Sequence, residues 1–279
     1  MDLTWWQAAW LGVVQGLTEF LPISSTAHLR IVPALLGWGD PGTAFSAVIQ
    51  LGTLAAVLIY FAGDIWRLSL AALGSLYNPQ VRKSQDARLA WAIAAGNLPI
   101  VILGLGFRGW IETEARSLFV IGAMLILVGL ALGLAEWHLR HRSQQIKLEQ
   151  LGFVTVGVIG LFQALALIPG ASRSGSTILG GMLLGLRRDD AARFSFLLGI
   201  PAILGSGLLL LPPLVADLGQ IEGGTSVLLA GLLTSLLSGY AAIGFLLAFL
   251  RTRSTMVFVV YRVGLGAAVL GLAWQGVIG

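Results

Sequence analysis

The 279-residue chain contains no cysteine, which excludes a disulfide framework, a thiol nucleophile and a thiolate metal site. Only three histidines are present, so zinc would have to rest on these and a few carboxylates. Charge is also scarce: Asp, Glu, Lys and Arg make up 11% of the residues, against about 25% in an ordinary soluble domain. Apolar residues fill the space, at 57% against roughly 45–50%, and a soluble globular protein is excluded. The net charge of +4 is scattered between apolar runs and forms no basic face or stripe, so no nucleic-acid partner is expected. The N-terminus lacks the basic region and small-residue cleavage site of a signal peptide, and the first apolar segment is expected to be retained.

About 20 apolar residues cross a hydrocarbon core of roughly 30 Å. Charge-free stretches of that order cover residues 41 to 63, 89 to 107, 117 to 135, 194 to 216 and 223 to 250. Residues 263 to 279 make a shorter sixth, extended backward across Arg262 by Met256 to Tyr261. Lipid leaves the backbone only helices or a closed barrel, and the alternation of barrel strands is absent. The expected fold is an all-α polytopic membrane protein with six transmembrane helices.

Two further apolar stretches are interrupted near their middles. Trp5 to Leu36 carries Gln15, Glu19, Pro22, Ser24, Ser25, Thr26, His28 and Arg30, and Leu151 to Leu186 carries Gln163, Pro169, Gly170, Ser172, Arg173, Ser174, Gly175, Ser176 and Thr177. Polar irregular backbone at membrane depth survives only against protein or a water-filled cavity. Both stretches are therefore expected to be re-entrant helical hairpins; the plainer alternative is a pair of kinked spans with polar groups at headgroup level. Loop charges favour hairpins. Eleven basic residues fall in the loops 77 to 88, 136 to 150, 187 to 193 and 251 to 254, which should face the cytoplasm. The loops 108 to 116 and 217 to 224 hold two and none and should lie outside. Six spans meet this alternation only if both polar stretches return to the side they entered.

The two stretches also align with each other, Pro22 over Pro169 and Ser25 over Ser172, and each is followed by three spans. Residues 1 to 135 and 151 to 279 thus read as inverted-topology repeats joined by a basic cytoplasmic linker at 136 to 150. Such repeats set their broken elements face to face near the bilayer midplane, where half-helix N-termini direct free N–H groups at anions. Glu19 is the one acidic residue deep inside an apolar stretch, His28 the one histidine outside the basic linker, and Arg173 is flanked on both sides by apolar residues. Intramembrane ionisable groups default to function; the plain alternative is a Glu19–Arg173 pair that only locks the hairpins together.

The second tip, Pro169 to Thr177, combines glycines with three Ser, one Thr and one Arg, a donor set that suits phosphate. Neither a G-x-x-x-x-G-K-[ST] loop nor a G-x-S-x-G elbow occurs, so nucleotide hydrolysis and α/β-hydrolase chemistry fall away. The first tip adds the carboxylate of Glu19, the hydroxyls of Ser24, Ser25 and Thr26, and the imidazole of His28. A hydroxyl beside a base is the minimum for nucleophilic displacement, and the three-residue spacing of Ser25 and His28 could set them side by side on one helical turn. The same hydroxyls could instead cap broken helix ends.

Gln15-x-x-x-Glu19 followed by Phe20-Leu-Pro-Ile-Ser-Ser-Thr-Ala-His28, together with Pro169-Gly-Ala-Ser-Arg-Ser-Gly-Ser-Thr177, resembles the bacitracin-resistance family of undecaprenyl-diphosphate phosphatases over essentially the whole chain. The resemblance implies a multi-pass enzyme of the bacterial inner membrane, open to the external side, that removes the terminal phosphate of undecaprenyl diphosphate. This regenerates the lipid carrier of cell-wall synthesis. It implies a divalent cation, Mg²⁺ or Ca²⁺, with Glu19 as a ligand, membrane lipids and the polyprenyl diphosphate as partners, and a homodimer as one open arrangement. Gln15 stands where the family takes Glu or Gln, and as Gln it can bond or position but not act as a base. Ala27 stands where many members have Gly.

The implied chemistry has Ser25 attacking the terminal phosphorus, His28 and Glu19 managing protons, and Arg173 with the Gly170 to Thr177 backbone holding the diphosphate. Gln15, Ser24, Thr26, Gly170, Ser172, Ser174 and Thr177 are the expected substrate-binding residues. A phosphohistidine at His28 or a water activated by Glu19 fits the same residues. The rival class is a secondary transporter or flippase for an anionic lipid or solute, which shares inverted repeats and broken helices but needs no nucleophile facing Arg173.

Overall fold

The computed structural model describes residues 3–39, 41–107, 109–110, 117–142, 145–217 and 224–277. Among them there is no extended strand, only one isolated parallel bridge between Ile146 and Leu186. The first polar stretch is α1 (Trp5–Phe20), a tight turn and α2 (Ser25–Leu36). It leads to α3 (Gly42–Tyr60), α4 (Ala62–Tyr77), the single turn α5 (Pro79–Arg82), α6 (Gln85–Gly96), α7 (Leu98–Gly106) and α8 (Leu118–Arg140). The second polar stretch is α9 (Phe153–Ala164), a 3₁₀ turn at Leu165–Leu167 and α10 (Arg173–Leu183), followed by α11 (Arg188–Asp217), α12 (Gly224–Thr252) and α13 (Met256–Trp274).

Proline sets both breaks. The residue before a proline is pushed out of the helical region, and Leu21 and Ile168, which precede Pro22 and Pro169, are both extended. Each chain re-enters a helix through a serine with positive φ: Ser24 at 76° and Ser172 at 70°, the only non-glycine residues with positive φ among those described. These two strained caps lie 148 positions apart, so the structure matches Ser24, not Ser25, with Ser172, one position off the alignment of Pro22 with Pro169, and Ser25 and Arg173 occupy the same place, the first residue of the helix that follows.

Among the described residues four helices are long and apolar enough to cross a membrane: Gln85–Gly106 taken through its interruption at Asn97, Leu118–Arg140, Thr225–Thr252 and Met256–Trp274. The stretch expected as one span over 41 to 63 instead ends at Tyr60. The chain bends by 76° into α4, and the bent pair makes up to a fifth candidate. On α4, Trp66, Leu70, Leu73 and Leu76 face outward, an apolar stripe that the charge count over 77 to 88 did not anticipate. The loops expected outside, 108 to 116 and 217 to 224, fall largely beyond the described residues.

Packing places the polar tips at the centre. α1 lies along α12, and α13 along α8. Gly12, Gly16 and Ser238 allow the backbones of α1 and α12 to approach closely, the usual means of joining helices where apolar surface alone gives no drive. At the end of α8, Glu136 is buried and holds Arg188 at 2.6 Å, Arg140 at 2.9 Å and the Thr255 hydroxyl at 3.0 Å. One carboxylate thus pins the starts of α11 and α13 to α8.

Candidate active site

Glu19 lies one residue before the end of α1 and is buried. Its Oε1 accepts a hydrogen bond from Arg173 Nη2 at 2.7 Å. Its Oε2 accepts from Ser25 Oγ at 2.7 Å and from Gln15 Nε2 at 3.1 Å. One carboxylate therefore joins both tips, and a buried charge of this kind is stable only because it is paired and hydrogen-bonded. These four groups line a cavity of about 250 Å³ with Ser24, Thr26 and Ser172; its other walls combine the polar Ser46, Gln50 and Ser206 with apolar residues such as Leu29, Ile100 and Ile203. That volume is below the roughly 300–1,000 Å³ of drug-sized pockets, so it suits a small polar group. Both α2 and α10 begin at this cavity, bringing two positive helix ends to it.

Gln15, Glu19, Ser24, Ser25, Thr26, Ser172 and Arg173 thus come together around one cavity. His28 does not join them. Its Nδ1 lies 2.7 Å from the Ser24 carbonyl and its Nε2 2.6 Å from the Tyr261 hydroxyl on α13, and it is not among the residues lining the cavity. The side chain that the Ser25 hydroxyl meets is the carboxylate of Glu19. Three further residues of the second tip have structural partners instead of facing the cavity. Ser174 Oγ donates to the Leu21 carbonyl at 3.1 Å, tying one tip to the other. Thr177 Oγ1 donates back to the Arg173 carbonyl at 2.8 Å. Gly170, at φ +93°, turns the chain so close to Ile121 that a Cβ would meet its backbone, and its N–H reaches Thr26 Oγ1 at 3.5 Å.

Two functional neighbours carried no motif. Arg262 has no solvent exposure and, among the described residues, no carboxylate partner. Its guanidinium donates to five backbone carbonyls, those of Pro22 in the first tip, Gly170 and Ala171 in the second, and Met124 and Leu125 on α8. Each lost bond to a buried acceptor costs about 1–3 kcal/mol. Arg262→Met is therefore expected to lower the melting temperature in detergent more than any single change at the cavity rim, and Arg262→Lys, with its compact ammonium, to recover only part of that loss.

Gly199 on α11 is the second. A Cβ there would overlap Arg173 Nη1, so the missing side chain makes the slot in which the guanidinium lies. Gly199→Ala should push Arg173 away from Glu19, and a displacement near 1 Å in a reacting site can cost about 10²-fold. The expected result is a loss of activity of that order with a fall in melting temperature smaller than that of Arg173→Ala, since the guanidinium stays near the carboxylate.

A hard cation is compatible with the donors present. No group of three or more His, Asp or Glu side chains able to hold a metal occurs among the described residues, so no all-protein cage exists. One carboxylate with an amide oxygen, from Glu19 and Gln15, nevertheless matches the way Mg²⁺ is held, by few protein ligands and mostly by substrate phosphates.

Fold and site together define a multi-pass membrane protein with a carboxylate, a hydroxyl and a guanidinium held between two broken helices. The model of the bacitracin resistance protein BacA family matches residues 8–268, and the chain belongs to this family. It is 52% identical over 270 residues to the undecaprenyl-diphosphatase of Myxococcus xanthus, covering 97% of this chain and 89% of that one. It is 50% identical over 277 residues to the undecaprenyl-diphosphatase of a Nocardioides species, covering 98% and 97%. Its identity to that of Chloroherpeton thalassium is 49% over 279 residues, covering 97% of each.

Proposed function

We propose that this chain hydrolyses undecaprenyl diphosphate to undecaprenyl phosphate and inorganic phosphate, and so returns the lipid carrier to cell-wall synthesis and counters bacitracin. The observation that carries this reading is the Ser25 hydroxyl donating to Glu19, whose other oxygen is held by Arg173 across the cavity. Ser25 Oγ attacks the terminal phosphorus as its proton passes to Glu19. The bond from phosphorus to the bridging oxygen breaks, and undecaprenyl phosphate leaves, carrying away the proton held by Glu19. Water then attacks the seryl phosphate; Glu19 takes its proton and returns it to Ser25 Oγ as the bond from phosphorus to Oγ breaks and inorganic phosphate leaves. Arg173 exchanges Glu19 for phosphate oxygens and stabilises the charge spread over them. Mg²⁺ or Ca²⁺, held by Glu19 and Gln15 together with the diphosphate, would neutralise further charge.

In this reading the protein has six spans and two re-entrant hairpins in inverted repeats, residues 1 to 135 and 151 to 279, in the bacterial inner membrane. The strained serines at matching positions support the repeat. The basic loops support an external opening, and the exposed Trp66, Trp137, Trp5 and Trp274 are residues that such a protein would set at its two membrane interfaces. A transporter would have no use for a hydroxyl paired with a buried carboxylate. The test is phosphate release from undecaprenyl diphosphate by the purified protein in detergent. One phosphate per lipid is expected, with undecaprenyl phosphate as the other product; a folded, monodisperse preparation that releases none would overturn the reading.

A further inference from the structure

Every other polar residue that the sequence places in the first tip lines the cavity, but His28 does not, and both of its ring nitrogens are occupied, by the Ser24 carbonyl and the Tyr261 hydroxyl. The Ser24 carbonyl can only accept, so the Nδ1 that lies 2.7 Å from it carries the proton. That leaves Nε2 as the acceptor in a neutral ring, and the Tyr261 hydroxyl donates to it at 2.6 Å. The two rings lie within 6° of parallel. Tyr261 belongs to α13, which contributes no residue to the cavity lining. Neither nitrogen therefore has a lone pair directed at the space where a diphosphate would sit.

The two strained serines show what the bond to Ser24 accomplishes. Ser172 secures its own helix start, since its Oγ accepts from Gly175 N at 3.1 Å. Ser24 does not: its side chain caps nothing and lies against the Thr26 hydroxyl at 3.1 Å. A non-glycine residue at positive φ costs on the order of 1–3 kcal/mol and persists only where its surroundings over-determine it. At Ser24 the extra determinant is His28, which reaches the Ser24 carbonyl both through its backbone N–H at 3.3 Å and through its ring. Because the peptide group is planar, fixing that carbonyl fixes the N–H of Ser25 on the opposite edge of the same plane. It also fixes the direction in which the Ser25 side chain leaves the backbone.

We infer that His28 is a positioning residue, locked by Tyr261, that holds the strained Ser24–Ser25 peptide so that the Ser25 hydroxyl meets Glu19, and that it neither takes a proton from the reaction nor carries phosphate. This rests on the hydrolase reading above and reassigns one of its expected proton carriers.

The test uses the fact that Asn and Gln each reproduce one half of an imidazole. An Asn amide nitrogen falls where Nδ1 is, and Asn97 already makes the same bond in this protein, donating to the carbonyl four residues back, that of Ile93, at 2.8 Å. A Gln amide reaches the Nε2 position and Tyr261 but not Ser24. In the full-length protein, with undecaprenyl diphosphate in detergent, His28→Gln and His28→Ala should lower kcat by about 10²-fold with KM little changed. His28→Asn should rescue kcat to within about tenfold of wild type. Tyr261→Phe should cost a few-fold, and all four should melt near the wild-type temperature. Loss by about 10²–10⁴-fold in Asn and Gln alike, the range for removing an acid–base group, would overturn the inference. Should His28→Asn fail to fold, rapid quenching of the wild type decides: an acid-labile, alkali-stable phosphate on residue 28 overturns it, and the absence of one together with a Tyr261→Phe defect upholds it. A wild type that releases no phosphate at all defeats the hydrolase reading instead, so the two failures are distinguishable.

Discussion

Ser25→Ala is expected to lower kcat for undecaprenyl diphosphate by roughly 10³-fold or more, with KM close to wild type. The hydroxyl donates to Glu19 and makes no other side-chain bond among the described residues, so its removal leaves the Glu19–Arg173 pair and the cavity walls in place. Glu19 Oε2 keeps Gln15 as a partner at 3.1 Å, and no buried charge is orphaned. The loss should therefore fall on the chemical step, and the melting temperature should stay within a few degrees of wild type. Were Glu19 to activate a water directly, Ser25→Ala would retain more than about a tenth of wild-type kcat.

Arg173→Lys should be nearly as damaging as Arg173→Ala. The guanidinium lies in the slot left by Gly199 with one nitrogen on Glu19, and its planar fork can hold the carboxylate or two phosphate oxygens. An ammonium keeps the charge without the fork. A loss of about 10³-fold is expected for Lys, within the range seen when a transition-state arginine is removed from phosphoryl transfer. Stability separates this from a mere lock between tips. Arg173→Ala strands a buried carboxylate, at a cost of about 3–5 kcal/mol, which Glu19→Gln in the same chain should largely relieve. Recovered melting temperature without recovered phosphate release is the expected outcome; a pair that served only to join the tips would regain both.

Much of this site was legible because its signals are local. Pro22 and Pro169 mark the breaks through a steric effect on the single residue before each. Glu19 and Arg173 stand out because an ionisable group in an apolar run needs a partner. The partner of Ser25 was misread for an equally local reason. Spacing alone puts His28 one turn from Ser25, but helix α2 starts at Ser25, so the imidazole joins its own backbone N–H on the carbonyl of Ser24 four residues back while the hydroxyl turns to α1. Arg262 escaped notice because its meaning lies in contacts with Pro22 and Gly170, 240 and 92 residues away; in the sequence it is one charge inside an otherwise apolar span. Gly199 is likewise one glycine among 37, and only the guanidinium lying against it distinguishes it. Asn97 interrupts a run of apolar residues, yet its role as the joint between α6 and α7 depends on a bond to the Leu198 carbonyl, which no periodicity reports.

The most direct measurement of the reacting pair is rapid acid quenching of the wild type with undecaprenyl diphosphate labelled in its terminal phosphate, followed by mapping of the labelled peptide. An acid-stable phosphoserine at residue 25, formed and lost at rates consistent with kcat and absent from Ser25→Ala, is the result predicted. Turnover at the full rate with no label on the protein at any time, or label on any other residue, would contradict Ser25 as the group that attacks phosphorus.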